Sequence, residues 1–140
     1  MIRRADASDL ERIEALLRDA NLPLDGARDA FRLGFVAEDN DTIVGAVALE
    51  LYPDSALLRS LVVDRSAQGR GLGGRLTQAA IDEAQGRGVC SIYLLTTTAD
   101  AFFPRFGFVA VERQSMPAAI QGSIEFQSAC PASAIAMARR

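Results

Sequence analysis

The chain has 140 residues, of which 49% are apolar, so it can bury the core of a single domain over residues 1–140. A net charge of −3 argues against a nucleic-acid surface. There is neither an apolar run that could span a membrane nor a signal-peptide pattern, so we expect a cytoplasmic protein. Without histidine, a serine–histidine or cysteine–histidine pair within this chain is excluded, and two separated cysteines argue against zinc or a disulfide framework.

The N-terminal half of the chain combines helical and strand patterns. Ser8 and Glu11 have the spacing of a capping box, and the apolar stripe after them predicts a helix through about Ala20. Residues 24–31 predict a short second helix. Residues 34–38 and 42–51 predict two strands joined by a tight turn at residues 39–41, and residues 57–63 predict a third strand.

The C-terminal half begins with a long amphipathic pattern. Residues 71–85 predict a helix that Gly86 and Gly88 close, and residues 89–96 predict an apolar strand that buries Cys90. A short helix over 100–106, a strand over 108–112 and a final strand over 134–137 follow, while residues 116–122 are ambiguous. An antiparallel meander followed by a strand–helix–strand unit indicates a mixed α/β or α+β fold.

A glycine-rich segment lies between the third strand and the long helix, and it reads Gln68-Gly69-Arg70-Gly71-Leu72-Gly73-Gly74. Glycines and a helix N-terminus together favour binding of a pyrophosphate or a similar anion. The chain lacks lysine, so the segment is not a Walker loop. It also lacks the acidic residue that the dinucleotide fingerprint needs after the next strand.

The spacing Gln68-x-x-Gly71-x-Gly73 after an apolar strand resembles the acetyl-CoA loop of the GNAT acetyltransferase superfamily. Residues 2–10 and 102–108 resemble the opening and the Phe-Tyr-x-x-x-Gly-Phe segment of that superfamily. Residues 57–61, 93–98 and 130–134 are more specifically similar to the small arsenic-resistance N-acetyltransferases, and residues 95–103 also to N-acetylglutamate synthases. The resemblance implies a GNAT fold, with a mixed, mostly antiparallel sheet of six to seven strands and about four flanking helices.

The resemblance also implies acetyl-CoA as co-substrate. The backbone of Leu61, Val62 and Val63 would then hold the pantetheine arm and offer an N–H group to the thioester oxygen. The pyrophosphate would lie on backbone groups of the loop residues Gln68, Gly69, Arg70, Gly71, Leu72, Gly73 and Gly74. Arg65, Arg70 and Arg75 are either phosphate contacts or solvated surface charges.

The acceptor side offers several candidate residues. Glu50 is either the base, acting through a water molecule, or a carboxylate in a salt bridge. Arg59 interrupts an apolar strand, so it needs an anionic partner, which is either a substrate oxyanion or an acid such as Glu50. Phe103 stands where many relatives carry tyrosine, so we expect no proton transfer through it. The candidate substrate-binding residues are Arg59, Ser60, Tyr52, Thr96, Thr97, Thr98 and Ser133.

These features predict an N-acetyltransferase that acts directly on the amine of a small acidic amino acid, such as glutamate, arsinothricin or phosphinothricin. Two alternatives stay open. One is a GNAT enzyme with another amine acceptor, such as a protein N-terminus or a polyamine. The other is a catalytically silent module that binds acetyl-CoA. We expect a small-molecule partner, no metal, no nucleic acid and no membrane, and a homodimer stays open.

Overall fold

The computed structural model describes residues 1–129 and 133–140. Part of the arsenic-resistance likeness, residues 130–132, therefore lies outside the described residues. The strands are β1 (Ile2–Arg4), β2 (Gly34–Asp39), β3 (Thr42–Leu51), β4 (Ser55–Val63), β5 (Ser91–Thr96), β6 (Val109–Val111) and β7 (Ile135–Arg139). The α-helices are α1 (Leu10–Asp19), α2 (Ala27–Ala30), α3 (Leu72–Gly86) and α4 (Ala118–Gln121).

One sheet contains all seven strands, in the order β1-β2-β3-β4-β5-β7-β6. Every pair is antiparallel except β4 with β5, because α3 connects these two strands as a crossover. The predicted fold, a mostly antiparallel sheet of six to seven strands with about four helices, is confirmed.

Short polar residues set the hairpin between β2 and β3. Asp39 pairs with Thr42, and the two residues between them have φ angles of 50° at Asn40 and 62° at Asp41. Two successive positive φ angles belong to a type I′ turn, which Asn and Asp tolerate better than most residues. The predicted turn is therefore confirmed, and it fixes the register of the two strands.

The capping box at the start of α1 differs from the predicted one. A 3₁₀ turn (Ala7–Asp9) precedes α1, so the cap lies upstream. Asp6 Oδ1 accepts from the Ser8 N–H at 2.8 Å, and Asp9 Oδ2 accepts from the Asp6 N–H at 2.9 Å. Arg3 also donates to both oxygens of Asp9, which holds the pKa of that carboxyl below its usual value. The predicted Ser8–Glu11 box was wrong because the chain enters the helix through this extra turn.

Side chains that alternate along the strands belong to apolar clusters on the two faces of the sheet. Ala37, Val47 and Leu58 pack with Leu76 and Ile81 of α3. The clusters on the opposite face draw on the intervening strand positions, since successive residues of a strand point to opposite sides. Their members include Ile13, Leu16, Phe31, Val36, Ala46 and Ala48 around α1 and α2, and Leu57, Tyr93, Leu95, Met116 and Ile120 beside α4.

Several predicted elements are shorter in the structure. The second helix covers only Ala27–Ala30 before a 3₁₀ turn (Phe31–Leu33), and the predicted helix over 100–106 is a 3₁₀ turn (Phe103–Phe106). Cys90 was predicted to be buried, but β5 begins only at Ser91 and the Cys90 side chain is exposed. Within the described residues, no helix combines the length and the apolar character that crossing a bilayer requires.

Candidate active site

The two parallel strands β4 and β5 separate after three paired positions. Their described ladder joins Ser55–Leu57 only to residues 91–93, and beyond these residues the strands splay apart. A cavity of about 280 Å³ lies in the gap, lined by residues 58–61 of β4 and residues 94–99 at the end of β5. Residues 21–23, Phe103 and Glu125 complete its wall.

A bulge in β4 lies at this cavity. Ala46 pairs with Val62, but Ala48 pairs with Arg59, so β4 contains one more residue than β3 over this stretch. Ser60 absorbs the irregularity with a φ of 59°, which is uncommon for a residue with a side chain. Ser60 and Leu61 therefore leave the regular register where they line the cavity, whereas Val62 and Val63 remain paired with β3.

The glycine-rich loop follows the C-terminal, splayed end of β4. Gly69 and Gly71 have φ angles of 85° and 78°, and α3 begins directly after Gly71. No hydrogen bond within the described chain uses the backbone N–H groups of residues 69–74. The first N–H groups of a helix have no intrahelical acceptor, and the helix dipole adds positive potential there. The loop therefore has the chemistry of an anion site.

Side-chain hydrogen bonds tie this loop to neighbouring strands. Gln68 Nε2 donates to the carbonyl oxygen of Val63 at 3.1 Å, which ties the loop to the end of β4. Arg70 donates to Asp39 at 2.8 Å on the exposed surface. Gly73 does not have a positive φ, and a Cβ there would lie 3.6 Å from Phe102, in ordinary contact. A requirement for glycine on the grounds of φ therefore holds at Gly71 and not at Gly73.

A second hollow, of about 520 Å³, lies beside the loop. Gln68 and Val63 line it on the loop side, and the end of α1 forms its opposite wall. Asn21 lines both this hollow and the cavity between β4 and β5. An elongated ligand could therefore lie with an anionic end on the loop and its other end between the splayed strands.

Arg59 lies in the cavity wall with no solvent exposure of its side chain. Its Nη1 donates to Glu50 Oε2 at 3.2 Å, its Nη2 to the Asp25 carbonyl oxygen at 2.7 Å, and its Nε to Ser60 Oγ at 3.1 Å. The Nε atom also lies 3.6 Å from Glu125 Oε1. Of the two interpretations that the sequence left open, the structure shows the ion pair with Glu50.

Glu50 is held by two protein donors. Besides the Arg59 bond to Oε2, the Tyr52 hydroxyl donates to Glu50 Oε1 at 2.6 Å. Burial and this bond raise the pKa of the Tyr52 hydroxyl, so Tyr52 stays protonated. Both residues line a separate hollow of about 470 Å³ together with Ser123, and neither lines the cavity between β4 and β5.

Glu125 is the site residue that the sequence analysis missed. It follows α4 in a π-helical segment (Glu125–Ala129), and only 5% of its side chain is exposed. Its Oε2 atom is buried and has no hydrogen-bond partner among the described residues. Burial, opposed by Arg59 and reinforced by Glu50, raises the pKa of this carboxyl to about 7. One local signal existed, which is a lone acid between Ile124 and Phe126.

Some of the other residues that the sequence predicted for the site lie at the cavity, and others do not. Thr96, Thr97 and Thr98 line the cavity, and Thr96 Oγ1 accepts from the Ala99 N–H at 2.9 Å. Phe103 is buried against the same cavity. Ser133 is exposed and is not among the residues that line it. Among the described residues, no group of three or more His, Cys, Asp or Glu side chains could hold a metal ion.

Comparisons with known proteins agree with this geometry. A family model described as the acetyltransferase (GNAT) domain matches residues 31–110, which is more than half of the chain. The N-acetylglutamate synthase of Neisseria gonorrhoeae, solved with coenzyme A and N-acetyl-glutamate, superposes with a TM-score of 0.85 over 100% of this chain and 34% of its own. At 23% identity, this likeness shows the fold alone.

Two curated relatives are similar in sequence. The amino-acid acetyltransferase of Neisseria meningitidis is 27% identical over 125 residues, which cover 83% of this chain and 29% of that protein. The N-alpha-acetyltransferase 30 of Schizosaccharomyces pombe is 33% identical over 88 residues, which cover 56% of this chain and 59% of that protein. This chain thus spans less than two thirds of either relative. The splayed strands, the glycine loop and the matching family model together show that the chain belongs to the GNAT acetyltransferase family, whose acetyl donor is acetyl-CoA.

Proposed function

We propose that this single domain, residues 1–140, transfers the acetyl group of acetyl-CoA directly to the amine of a small amino acid with a second acidic group. Glutamate and its arsenic- and phosphorus-containing analogues, arsinothricin and phosphinothricin, are the proposed acceptors. The observation that carries the proposal is the cavity between β4 and β5, which has a buried arginine in its wall and continues toward the glycine loop.

The relatives support an amino acid as the acceptor. The Neisseria meningitidis relative bears the name amino-acid acetyltransferase, and the Neisseria gonorrhoeae structure holds N-acetyl-glutamate together with coenzyme A. The cavity of about 280 Å³ is also of a size for a small molecule. We propose the same kind of acceptor for the present chain because of the residues that line its own cavity.

Arg59 provides the charge that an acidic acceptor needs. Its contact with Glu125, at 3.6 Å, is too long for a hydrogen bond and is the longest of its polar contacts. A carboxylate, phosphinate or arsinate group could therefore contact the guanidinium beside Glu125 while the bonds to Glu50 and Asp25 persist. A polyamine carries only positive charge, so Arg59 disfavours it.

The remaining residues then have defined tasks. The loop residues 68–74 bind the pyrophosphate, and the bulge at Ser60 and Leu61 brings backbone groups to the thioester oxygen, where negative charge builds. The hydroxyl groups of residues 96–98 bind the acceptor at the end of β5. The amine attacks the thioester without an acyl-enzyme, so the chain needs no histidine.

A screen of acceptors tests the proposal by following the free thiol that acetyl-CoA releases. The panel contains glutamate, aspartate, phosphinothricin, arsinothricin, neutral amino acids, polyamines and short peptides. We expect the acidic amino acids to give the highest kcat/KM. Turnover of neutral amines or polyamines with no turnover of any acidic amino acid would contradict the acceptor assignment. Binding of acetyl-CoA without turnover of any amine would instead indicate a catalytically silent module.

An Arg59→Lys variant tests the role of the guanidinium, because lysine keeps the charge but lacks the planar pair of donors. We expect the KM for the acidic acceptor to rise, by up to the roughly 2–5 kcal/mol that a buried hydrogen-bonded charge pair is worth. The acetyl-CoA affinity should stay nearly unchanged, since Arg59 lies outside the loop. An equal loss of both affinities would indicate a structural role only.

A polypeptide N-terminus is the second candidate acceptor. The specific observation in its favour is the 33% identity to the N-alpha-acetyltransferase of Schizosaccharomyces pombe, which is higher than the 27% identity to the amino-acid acetyltransferase. The peptides in the same screen separate the two candidates. Peptide turnover that exceeds glutamate turnover would select this one.

A further inference from the structure

Glu125 lines the acceptor cavity, and its buried carboxylate oxygen Oε2 has no hydrogen-bond partner among the described residues. Its segment follows α4 and packs over the face of the sheet that carries Arg59. The residue lines the same cavity as Ser60 and the three threonines, although its side chain is almost fully buried. Glu125 is therefore close to the place where the acceptor amine must meet the thioester.

The Glu125 carboxyl group lacks a hydrogen-bond donor that a ligand could supply. Glu125 Oε2 has no hydrogen-bond partner within the described residues, and Oε1 lies 3.6 Å from Arg59 Nε, which itself donates to Ser60. A buried carboxylate oxygen without a partner is destabilising, because it has lost its contact with water and has gained no donor in exchange. An ammonium group supplies the donors that this oxygen lacks.

Glu50 is less suited to that task. Both of its oxygens already accept hydrogen bonds, one from Tyr52 and one from Arg59. An acceptor ammonium would have to displace one of these donors before it could reach a Glu50 lone pair. Glu50 also lines a different hollow from the one between β4 and β5. Its position suits a residue that holds Arg59 in place.

Burial and the neighbouring charges set the pKa of the Glu125 carboxyl. Arg59 on β4 and Glu50 on β3 are the charged groups that act on it, and the neutral Tyr52 hydroxyl is bonded to Glu50. Burial outweighs the attraction of Arg59, which raises the pKa of the Glu125 carboxyl to about 7. A general base works best when its pKa lies near the working pH.

We infer that Glu125 binds the ammonium group of the acceptor through Oε2 and removes one of its protons, so that Glu125 and not Glu50 is the base. This inference rests on the proposed acetylation of an amine. The N–H bond breaks, the proton moves to Oε2, and the freed lone pair attacks the thioester carbon. The carbon–sulfur bond then breaks, the thiolate takes the second proton of the attacking nitrogen, and Glu125 releases its proton to solvent.

Matched variants Glu125→Gln and Glu50→Gln test the inference, with the best amine from the acceptor screen as substrate. We expect Glu125→Gln to lower kcat roughly 10²–10⁴-fold, as the loss of a general base does, and to remove the acidic limb of the pH profile near 7. Glu50→Gln should keep that limb. Glu125→Asp should restore part of the rate, and calorimetry should show nearly unchanged acetyl-CoA affinity in each variant.

A direct titration makes the test independent of the acceptor. In ¹³C-glutamate NMR spectra, one carboxyl signal of the wild type should titrate near pH 7, and this signal should be missing from Glu125→Gln. The inference is overturned if Glu125→Gln keeps the acidic limb of the pH profile, or if Glu50→Gln alone loses it. It is also overturned if no carboxyl signal in the wild-type spectrum titrates near pH 7. If a peptide or polyamine is the best amine, the acceptor proposal fails while the Glu125 test proceeds with that amine.

Discussion

Because Glu125 is buried, we predict a specific dependence of the free energy of unfolding on pH. The carboxyl pKa of Glu125 is about 7 in the folded chain and near the ordinary glutamate value of 4.5 in the unfolded chain. The folded state therefore favours the protonated acid. The contribution of Glu125 to the free energy of unfolding is therefore fully present below pH 4.5, and it is lost as the pH rises through 7.

Glu125→Gln replaces the acid with a neutral side chain of similar shape, so the variant does not suffer this loss. From pH 5 to pH 8, the free energy of unfolding of Glu125→Gln should rise relative to that of the wild type by roughly 2–3 kcal/mol. Urea unfolding at both pH values measures the difference, and the contributions of all other titrating groups cancel between the two proteins.

Glu83 offers a control of opposite sign. Its bonds to Arg87 and Arg4 lower its carboxyl pKa, so the folded state favours the carboxylate. Glu83→Gln should therefore be destabilising at neutral pH, and the destabilisation should fade as the pH falls below 4.5 through the lowered pKa. A pH-independent difference between Glu125→Gln and the wild type would refute the reasoning, because it would mean that Glu125 ionises as readily in the folded chain as in the unfolded one.

Three further outcomes follow from the geometry. Gly71→Val should weaken acetyl-CoA binding in a calorimetric titration, because valine disfavours a φ of 78°, whereas Gly73→Ala, with ordinary contacts only, should bind nearly normally. Equal affinities for both variants would speak against the loop assignment. Phe103→Leu should retain most of its turnover, and a loss above about a hundredfold, typical of a lost acid–base group, would contradict that expectation. The exposed Cys90 thiol should react with a thiol reagent in the folded protein, and peptide mapping should place a mass increment on the Cys90 peptide that Cys90→Ser lacks.

Local patterns allowed much of the fold to be predicted. Strand β3 has the predicted bounds, and α3 begins and ends within one residue of its predicted limits. The type I′ turn at Asn40 and Asp41 was also predictable, since short polar residues tolerate positive φ angles. The errors in the helices occurred where a 3₁₀ turn replaced or preceded a helix, as at Asp6, because such turns have weak sequence signals.

The candidate site was predictable only in part, because its partners come from distant parts of the chain. The sequence showed that a charge at position 59 needs an acid, but it offered several acids. The structure selects Glu50 from the neighbouring strand, a carbonyl group 34 residues away at Asp25, and Glu125 beyond α4. The only local signal for Glu125 is its place between Ile124 and Phe126, and its burial depends on how its segment packs over the sheet.

The sequence by itself determined the glycine loop, the order of the main elements and the likeness to the GNAT family. These features depend on backbone conformations and helix starts that neighbouring residues set. Only the tertiary structure decided that β4 and β5 splay apart, that Ser60 forms a bulge, and that Arg59 lies between two carboxylates. Strand register, burial and ion pairing each depend on groups far apart in the chain, whose positions only the packed sheet defines.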